Sequence, residues 1–122
     1  MKDEDKYKQD LRLRTKDFAL RIIKLYISLP KRTEAQVIGK QILRSGTSVG
    51  AHYREGYRAK SDKDFIHKIE GGLQELEETI YWLELLLETE IIPEIRLHDL
   101  SKEAEELASI FVTIVKKVKA RS

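Results

Sequence analysis

The stretch IHKIEGGLQELEETIYWLELLL, residues 66–87, has the most regular apolar pattern in the sequence and indicates the fold class. Its apolar residues recur at alternating steps of three and four, the spacing that keeps side chains on one face of a helix. Ser61 and Asp62 stand ahead of it as candidate N-caps. The stretch therefore predicts a long amphipathic helix whose inward residues are Ile66, Ile69, Leu73, Leu76, Ile80, Leu83 and Leu87.

Three other segments repeat this spacing. The first spans residues 11–29 and ends at Pro30, and the last follows Pro93. Between them, Thr33 and Gln36 have the spacing of a capping box, so a helix is predicted from Thr33 to about Arg58. The inward residues of these three helices are Phe18, Ile22, Leu25 and Leu29, then Val37, Ile38, Ile42, Val49 and Tyr53, and finally Leu97, Leu100, Ala104, Leu107, Phe111, Ile114 and Val118.

Four amphipathic helices with short connections can bury their apolar faces together as an antiparallel up-and-down bundle. Strand-like alternation is absent from the sequence. We therefore expect an all-α protein, an antiparallel up-and-down four-helix bundle, in which residues 1–122 form one domain and residues 1–10 a flexible N-terminal extension.

Composition excludes several classes of protein. The chain has no cysteine, so neither a disulfide framework nor a thiolate metal site is possible. The N-terminus lacks the apolar core of a signal peptide, and no apolar stretch reaches the length of a membrane span. These features predict a soluble, cytoplasmic protein with no membrane partner.

Charge is unevenly distributed although the net charge is only +2. Residues 31–63 carry 8 basic and 3 acidic side chains, residues 64–106 carry 3 and 13, and residues 107–122 carry 4 and none. In an up-and-down bundle the end of the second helix, the start of the third and the end of the fourth meet. The cations expected there, which we call the basic pole, are Arg54, Arg58, Lys60, Lys63, Lys116, Lys117, Lys119 and Arg121.

Charges of the first and fourth helices extend this separation. Arg12, Arg14 and Lys16 are expected beside the basic pole. An acidic group is expected towards the opposite end, consisting of Glu84, Glu88, Glu90, Glu94, Asp99, Glu103, Glu105 and Glu106. The predicted bundle is therefore polarised along its axis.

The basic pole is a candidate nucleic-acid interface because clustered cations attract phosphates and release counterions on binding. Tyr53 and Tyr57 could add stacking surfaces beside Arg54 and Arg58. A simpler interpretation is that Lys and Arg at helix C-termini offset the helix dipole at a solvated end of the bundle. Sequence alone leaves both interpretations open.

The glycines favour helix packing over ligand binding. Gly46 and Gly50 are four residues apart on one helical face, where missing side chains let another helix approach closely. Gly56 is expected to form a cap or a bend, and Gly71 and Gly72 are expected to relieve crowding. No phosphate-loop spacing accompanies any of them.

Catalytic and metal-binding patterns are missing. A di-iron bundle needs Glu-x-x-His on two helices, and no glutamate here is followed by histidine three positions later. The sequence has neither a Gly-x-Ser-x-Gly motif nor a credible Ser-His-Asp grouping. We therefore predict no catalytic residue, no metal, no cofactor and no enzymatic activity.

The third helix ends in a stretch that is apolar on more than one face. A contiguous apolar belt on a surface often marks a subunit interface, and the residues predicted for it are Tyr81, Trp82, Leu85 and Leu86. The alternative is a wide core with a few exposed apolar side chains. The first interpretation predicts a homo-oligomer.

Residues 41–86 resemble the four-helix-bundle proteins encoded in intervening sequences of bacterial 23S ribosomal RNA genes. The stretch IIKLYISLPKR, residues 22–32, also resembles the end of that family's first helix. At the centre of the motif, His52 stands where the family has Asn, and Tyr53 and Arg54 replace a small apolar pair. The matching residues, in order, are Leu43, Arg44, Ser48, Val49, Ala51, Glu55, Gly56, Ser61, Lys63, Asp64, Phe65, Glu75 and Glu77.

This resemblance implies a ring-like homo-oligomer, a pentamer, without enzymatic activity. The chain is also similar, more remotely, to accessory proteins of diversity-generating retroelements, which bind nucleic acid and a reverse transcriptase. Two functions follow as expectations. The first is binding of RNA or an RNA–protein complex through the basic pole, and the second is a protein–protein adaptor that docks a partner such as a reverse transcriptase.

Overall fold

The computed structural model describes residues 2–121, with side chains from residue 10 onward. Its four helices are α1 (Lys2–Ser28), α2 (Thr33–Tyr57), α3 (Asp62–Glu88) and α4 (Glu94–Arg121). Each helix packs on the next, and α4 returns to meet α1 along the sparsest of the four seams. The antiparallel four-helix bundle is therefore confirmed. Among the described residues, no helix combines the length and apolar character that a membrane span requires.

Helix α1 begins earlier than the sequence pattern indicated. It starts at Lys2, whereas the apolar repeat starts at Leu11. Residues 2–10 are mostly charged or polar, and such residues permit a helix without marking its buried face. We predicted that residues 1–10 are flexible. The side chains of residues 1–9 lie outside the described residues, so this stays a prediction.

One of the two predicted N-caps is confirmed. The Ser61 hydroxyl accepts a hydrogen bond from the Asp64 backbone N–H at 3.1 Å, which fixes the start of α3. The predicted capping box of α2 is wrong, because the N-cap is Arg32 and it makes no side-chain cap. The Gln36 amide instead donates to the Pro30 carbonyl at 2.8 Å and ties the start of α2 to the preceding turn.

The core contains most of the predicted inward residues, including Phe18, Ile22 and Phe111. Two predictions of inward residues are wrong, because Val37 is exposed and Leu87 lies at the surface. The cause is the same in both helices: small or polar residues occupy part of the buried face. The buried residues of this kind are Ala35, Gly39, Ser45, Gly46, Gly50 and Gly56 in α2 and Gly72 and Thr79 in α3.

The glycines of α2 allow close approach to α1. A Cβ atom on Gly46 would lie 2.7 Å from Cγ1 of Ile22, and one on Gly50 would lie 3.2 Å from Oγ1 of Thr15. The predicted packing role of this pair is confirmed. Gly56 is not the cap, which is Arg58, but a buried position inside α2, 3.0 Å from Ile69 by the same measure.

The glycines of α3 make room for two rings. A Cβ atom on Gly72 would lie 2.7 Å from the Phe111 ring, and one on Gly71 would lie 2.9 Å from the His52 imidazole. Their predicted role in relieving crowding is therefore confirmed. The absence of a side chain at Gly71 allows the large His52 ring to lie against the α3 backbone.

Candidate nucleic-acid interface

The turn between α2 and α3 lies against the last turn of α4. A shallow cavity of about 210 Å³ joins the two, with Lys60 and Ser61 on the turn side and Val118 and Arg121 on the α4 side. This contact follows from the antiparallel order of the helices, which brings residues far apart in sequence to one end of the bundle. The fold thus brings the two segments of the basic pole together.

Most cations of the basic pole are available to a ligand. All eight are exposed, but Lys119 pairs with Glu70 at 3.3 Å and Arg121 pairs with Asp62 at 3.7 Å. Within the part of the chain that the structure describes, the remaining six make no ion pair. They are Arg54, Arg58, Lys60, Lys63, Lys116 and Lys117.

The two tyrosines of α2 occupy different environments. Tyr57 is exposed beside the pole, and the Arg12 guanidinium lies 5.6 Å from the centre of its ring, in cation–π contact. Tyr53 is buried, with its ring 6.0 Å from that of Phe111. The prediction of a stacking surface at Tyr53 is therefore wrong, because this ring belongs to the core. Of the two tyrosines, Tyr57 remains a candidate for stacking on a base.

Along α1, basic and acidic side chains are less separated than the sequence predicted. Arg14, expected beside the basic pole, donates from Nη2 and Nε to the two carboxylate oxygens of Glu103 at 2.6 and 3.1 Å. It also lies 3.7 Å from Glu106. The hydrogen bond to Glu103 raises the pKa of the Arg14 guanidinium. Arg14 thus holds α1 to α4 and is not part of the basic pole.

A second depression lies on the α2–α3 side of the bundle. It encloses about 550 Å³ and is lined by His52, His67, Gly71 and Gln74, among others. Nδ1 of His52 is buried there and has no hydrogen-bond partner among the described residues. Those residues also contain no group of three or more His, Cys, Asp or Glu side chains that could hold a metal ion.

The predicted interface residues do not all reach the surface. Tyr81 is exposed, Trp82 and Leu85 are half-buried, and Leu86 is fully buried within the single chain. The Tyr81 and Trp82 rings contact each other, with centroids 5.1 Å apart. The surface candidate is therefore reduced to Tyr81, Trp82 and Leu85, while Leu86 belongs to the core.

A further apolar surface was missed by the sequence reasoning. Leu13, Leu20, Ile23 and Ile27 of α1 are exposed. The spacing of seven between Leu13, Leu20 and Ile27 is the sequence signal for this surface, whereas the three-four repeat of the helix marks only its inward face.

Fold and site together define a small antiparallel helical bundle with a cationic end. The chain belongs to the 23S rRNA-intervening sequence protein family, whose family model matches residues 8–113. It is similar to a protein of unknown function from the S23 ribosomal protein family of Bacteroides thetaiotaomicron VPI-5482, known from a crystal structure. The two are 39% identical with a TM-score of 0.83, over 89% of this chain and 97% of the other. No curated protein matches the chain.

Proposed function

We propose that this protein is a non-enzymatic homo-oligomer that binds structured RNA, or RNA within an RNA–protein complex, through phosphate contacts at the basic pole. The observation that carries the proposal is the group of six exposed cations without ion pairs among the described residues.

Compensation of helix dipoles does not account for all of these cations. Arg54 lies in the last turn of α2, where positive charge is favourable. Lys63 lies in the first turn of α3, where the dipole disfavours a cation, and Lys60 lies in the turn outside either helix. Because Lys63 gains nothing from a helix C-terminus, an external anion accounts for the group more fully than the dipoles do.

The expected binding is strongly salt-dependent. A protein that neutralises six phosphates should lose about 10³-fold in affinity between 50 and 200 mM salt, because each contact releases condensed counterions. Phosphate contacts also favour shape over sequence, as expected for recognition of double-stranded RNA. We therefore expect affinity for an RNA hairpin with little dependence on its sequence.

The test compares two variants of equal net charge. The pole variant carries Arg54→Gln, Arg58→Gln, Lys116→Gln and Lys117→Gln. The control variant carries Lys31→Gln, Arg32→Gln, Lys40→Gln and Lys102→Gln, four exposed cations outside the basic pole. Binding to an RNA hairpin is measured by fluorescence anisotropy at several salt concentrations.

We expect the pole variant to lose about 10⁴-fold in affinity at about 50 mM salt, and its salt slope to fall by about four, one for each lost phosphate contact. The control should stay much closer to wild type. Equal losses in both variants would show that total charge, not the pole, attracts RNA. If wild type retains no RNA at about 50 mM salt, the proposal fails and the adaptor function, with a partner such as a reverse transcriptase, becomes the better interpretation.

A further inference from the structure

Helix α1 carries an apolar stripe on the side facing away from the core. Leu13, Leu20 and Ile27 recur at intervals of seven and expose 69%, 48% and 75% of their surface, and Ile23 lies beside them. A repeat of seven keeps residues on one side of a helix. The core residue Ile22 lies on the opposite side. We call the four exposed residues, with Lys16 and Lys24 among them, the α1 outer face.

This stripe differs from ordinary surface variation. Single exposed apolar residues are normal, but four of them on one side of a helix within four turns concentrate apolar surface there, and concentrated apolar surface marks interaction sites. Lys16 and Lys24 lie four residues before and after Leu20, so they border its exposed side chain. Asp10, three residues before Leu13, and Asp17, three residues before Leu20, follow one edge. The patch is therefore apolar, with two lysines beside its central residue and carboxylates along one edge.

Helix α3 carries apolar residues at its surface that are bordered by acidic side chains. Tyr81, of which 54% is exposed, is followed four residues later by the half-buried Leu85. Around Tyr81, at helical spacings of −4, +3 and +7, stand Glu77, Glu84 and Glu88. We call these five residues the α3 outer face.

The acidic character of α3 is not cancelled within the chain. Residues 69–88 contain six glutamates and neither Lys nor Arg. Arg44 of α2 pairs with Glu75 and Glu78, and Lys119 of α4 pairs with Glu70. The other three make no ion pair within the described residues, and they are the three glutamates of the α3 outer face.

The two outer faces lie on opposite sides of the bundle. Each helix contacts its two neighbours, and in the described part of the chain no Cα atom of α1 lies within 8 Å of one of α3, so the two helices are diagonal. A face that is apolar with two lysines beside its central residue therefore lies opposite a face that is apolar and acidic. Two copies of the acidic face would repel each other, whereas the lysines of the α1 outer face complement it in charge.

We propose that the α1 outer face of one protomer packs on the α3 outer face of a second copy of this chain. The proposal rests on the homo-oligomeric part of the proposed function and specifies how the copies meet. Because the two faces differ, the contact is head-to-tail and propagates into a closed ring or an open filament. Since α1 and α3 run in the same direction, a parallel contact between them places every basic pole on the same rim.

The experiment blocks each face separately. The α1-blocked variant carries Leu20→Gln and Ile27→Gln, and the α3-blocked variant carries Tyr81→Lys and Glu84→Lys, so the two blocked faces do not attract each other. These side chains are exposed, so the substitutions leave the core intact, which circular dichroism verifies. A control variant carries Val37→Glu and Ile95→Glu, two exposed apolar residues outside both faces. Mass is measured by size-exclusion chromatography with light scattering.

Wild type and control should be oligomers, and each blocked variant alone should be a monomer. An equimolar mixture of the two blocked variants should give a 1:1 dimer and nothing larger, because only one complementary pair of faces remains. The proposal is overturned if wild type is a monomer, if the α3-blocked variant still assembles alone, or if the mixture stays monomeric.

The same samples separate this proposal from RNA binding. Both blocked variants keep the whole basic pole, so they should retain a salt-dependent affinity for the RNA hairpin. A monomeric wild type that binds RNA overturns only the interface. An oligomeric wild type that forms the 1:1 dimer in the mixing experiment but binds no RNA supports the interface and overturns only the RNA function.

Discussion

Helix α2 contributes packing residues to the middle of the bundle and exposed cations to the basic pole. In the middle of α2, Gly46 lies against Ile22 of α1, and Ser45 forms a buried hydrogen bond of 2.7 Å with Thr79 of α3. At the end of α2, Arg54 is exposed and has no ion pair among the described residues. The difference indicates that stability resides in the middle, so the pole is free to bind a ligand at little cost to folding.

The largest loss of stability should follow substitution of Phe111, in the middle of the bundle. Its ring is fully buried and packs against Tyr53 and over Gly72. Phe111→Ala should lower the free energy of unfolding by about 3–5 kcal/mol through lost burial and the cavity left behind. Urea denaturation measures the loss. Thr113→Ala, at an exposed position of the same helix, is the control and should change it by less than about 0.5 kcal/mol.

The buried hydroxyl pair gives a directional prediction. The Thr79 hydroxyl donates to the Glu75 carbonyl at 2.8 Å, so its one proton is used and Ser45 must donate to Thr79. Thr79→Val should then cost about 1–3 kcal/mol, because it leaves a buried donor without its partner. Ser45→Ala removes that donor and should cost about 0.5–1.5 kcal/mol. The reverse order in urea denaturation would contradict the assigned direction of the bond.

The glycines should give a smaller, graded effect. A Cβ at Gly46 would collide with the branched carbons of Ile22, so overpacking should exceed the gain in helix propensity. Gly46→Ala is expected to destabilise by about 1–2 kcal/mol. At Gly50 the nearest atom is 3.2 Å away, and Gly50→Ala should be close to neutral. If Gly46→Ala and Gly50→Ala lowered the free energy of unfolding equally, in thermal or urea unfolding, the distance from each glycine to α1 would not determine the loss of stability.

The fold was predictable because large apolar residues mark all four helices. The error at Val37 arose because Ala35 and Gly39 take the buried positions on either side of it. A search for large apolar side chains cannot detect a buried face that small residues form. The same limit applied to Leu86, which was assigned to the surface although it lies in a buried row with Gly72 and Thr79.

The candidate site was partly predictable for a different reason. Antiparallel order alone brings the turn after α2 to the end of α4, so the position of the basic pole followed from the topology. The pairing of Arg14 with Glu103 depends on the rotation and tilt of α1 against α4, which helical spacing does not specify. The α1 outer face likewise appears only when the covered side of the helix is known.

The smallest effect on stability should come from single cations of the basic pole. Arg58 and Lys117 are exposed, and neither makes an ion pair with a described residue. Arg58→Gln and Lys117→Gln should each change the free energy of unfolding by less than about 0.5 kcal/mol. Each should still reduce the salt slope of RNA binding by about one, because one phosphate contact is lost. A single substitution that lowered stability and left RNA binding unchanged would reverse the division of roles between middle and pole.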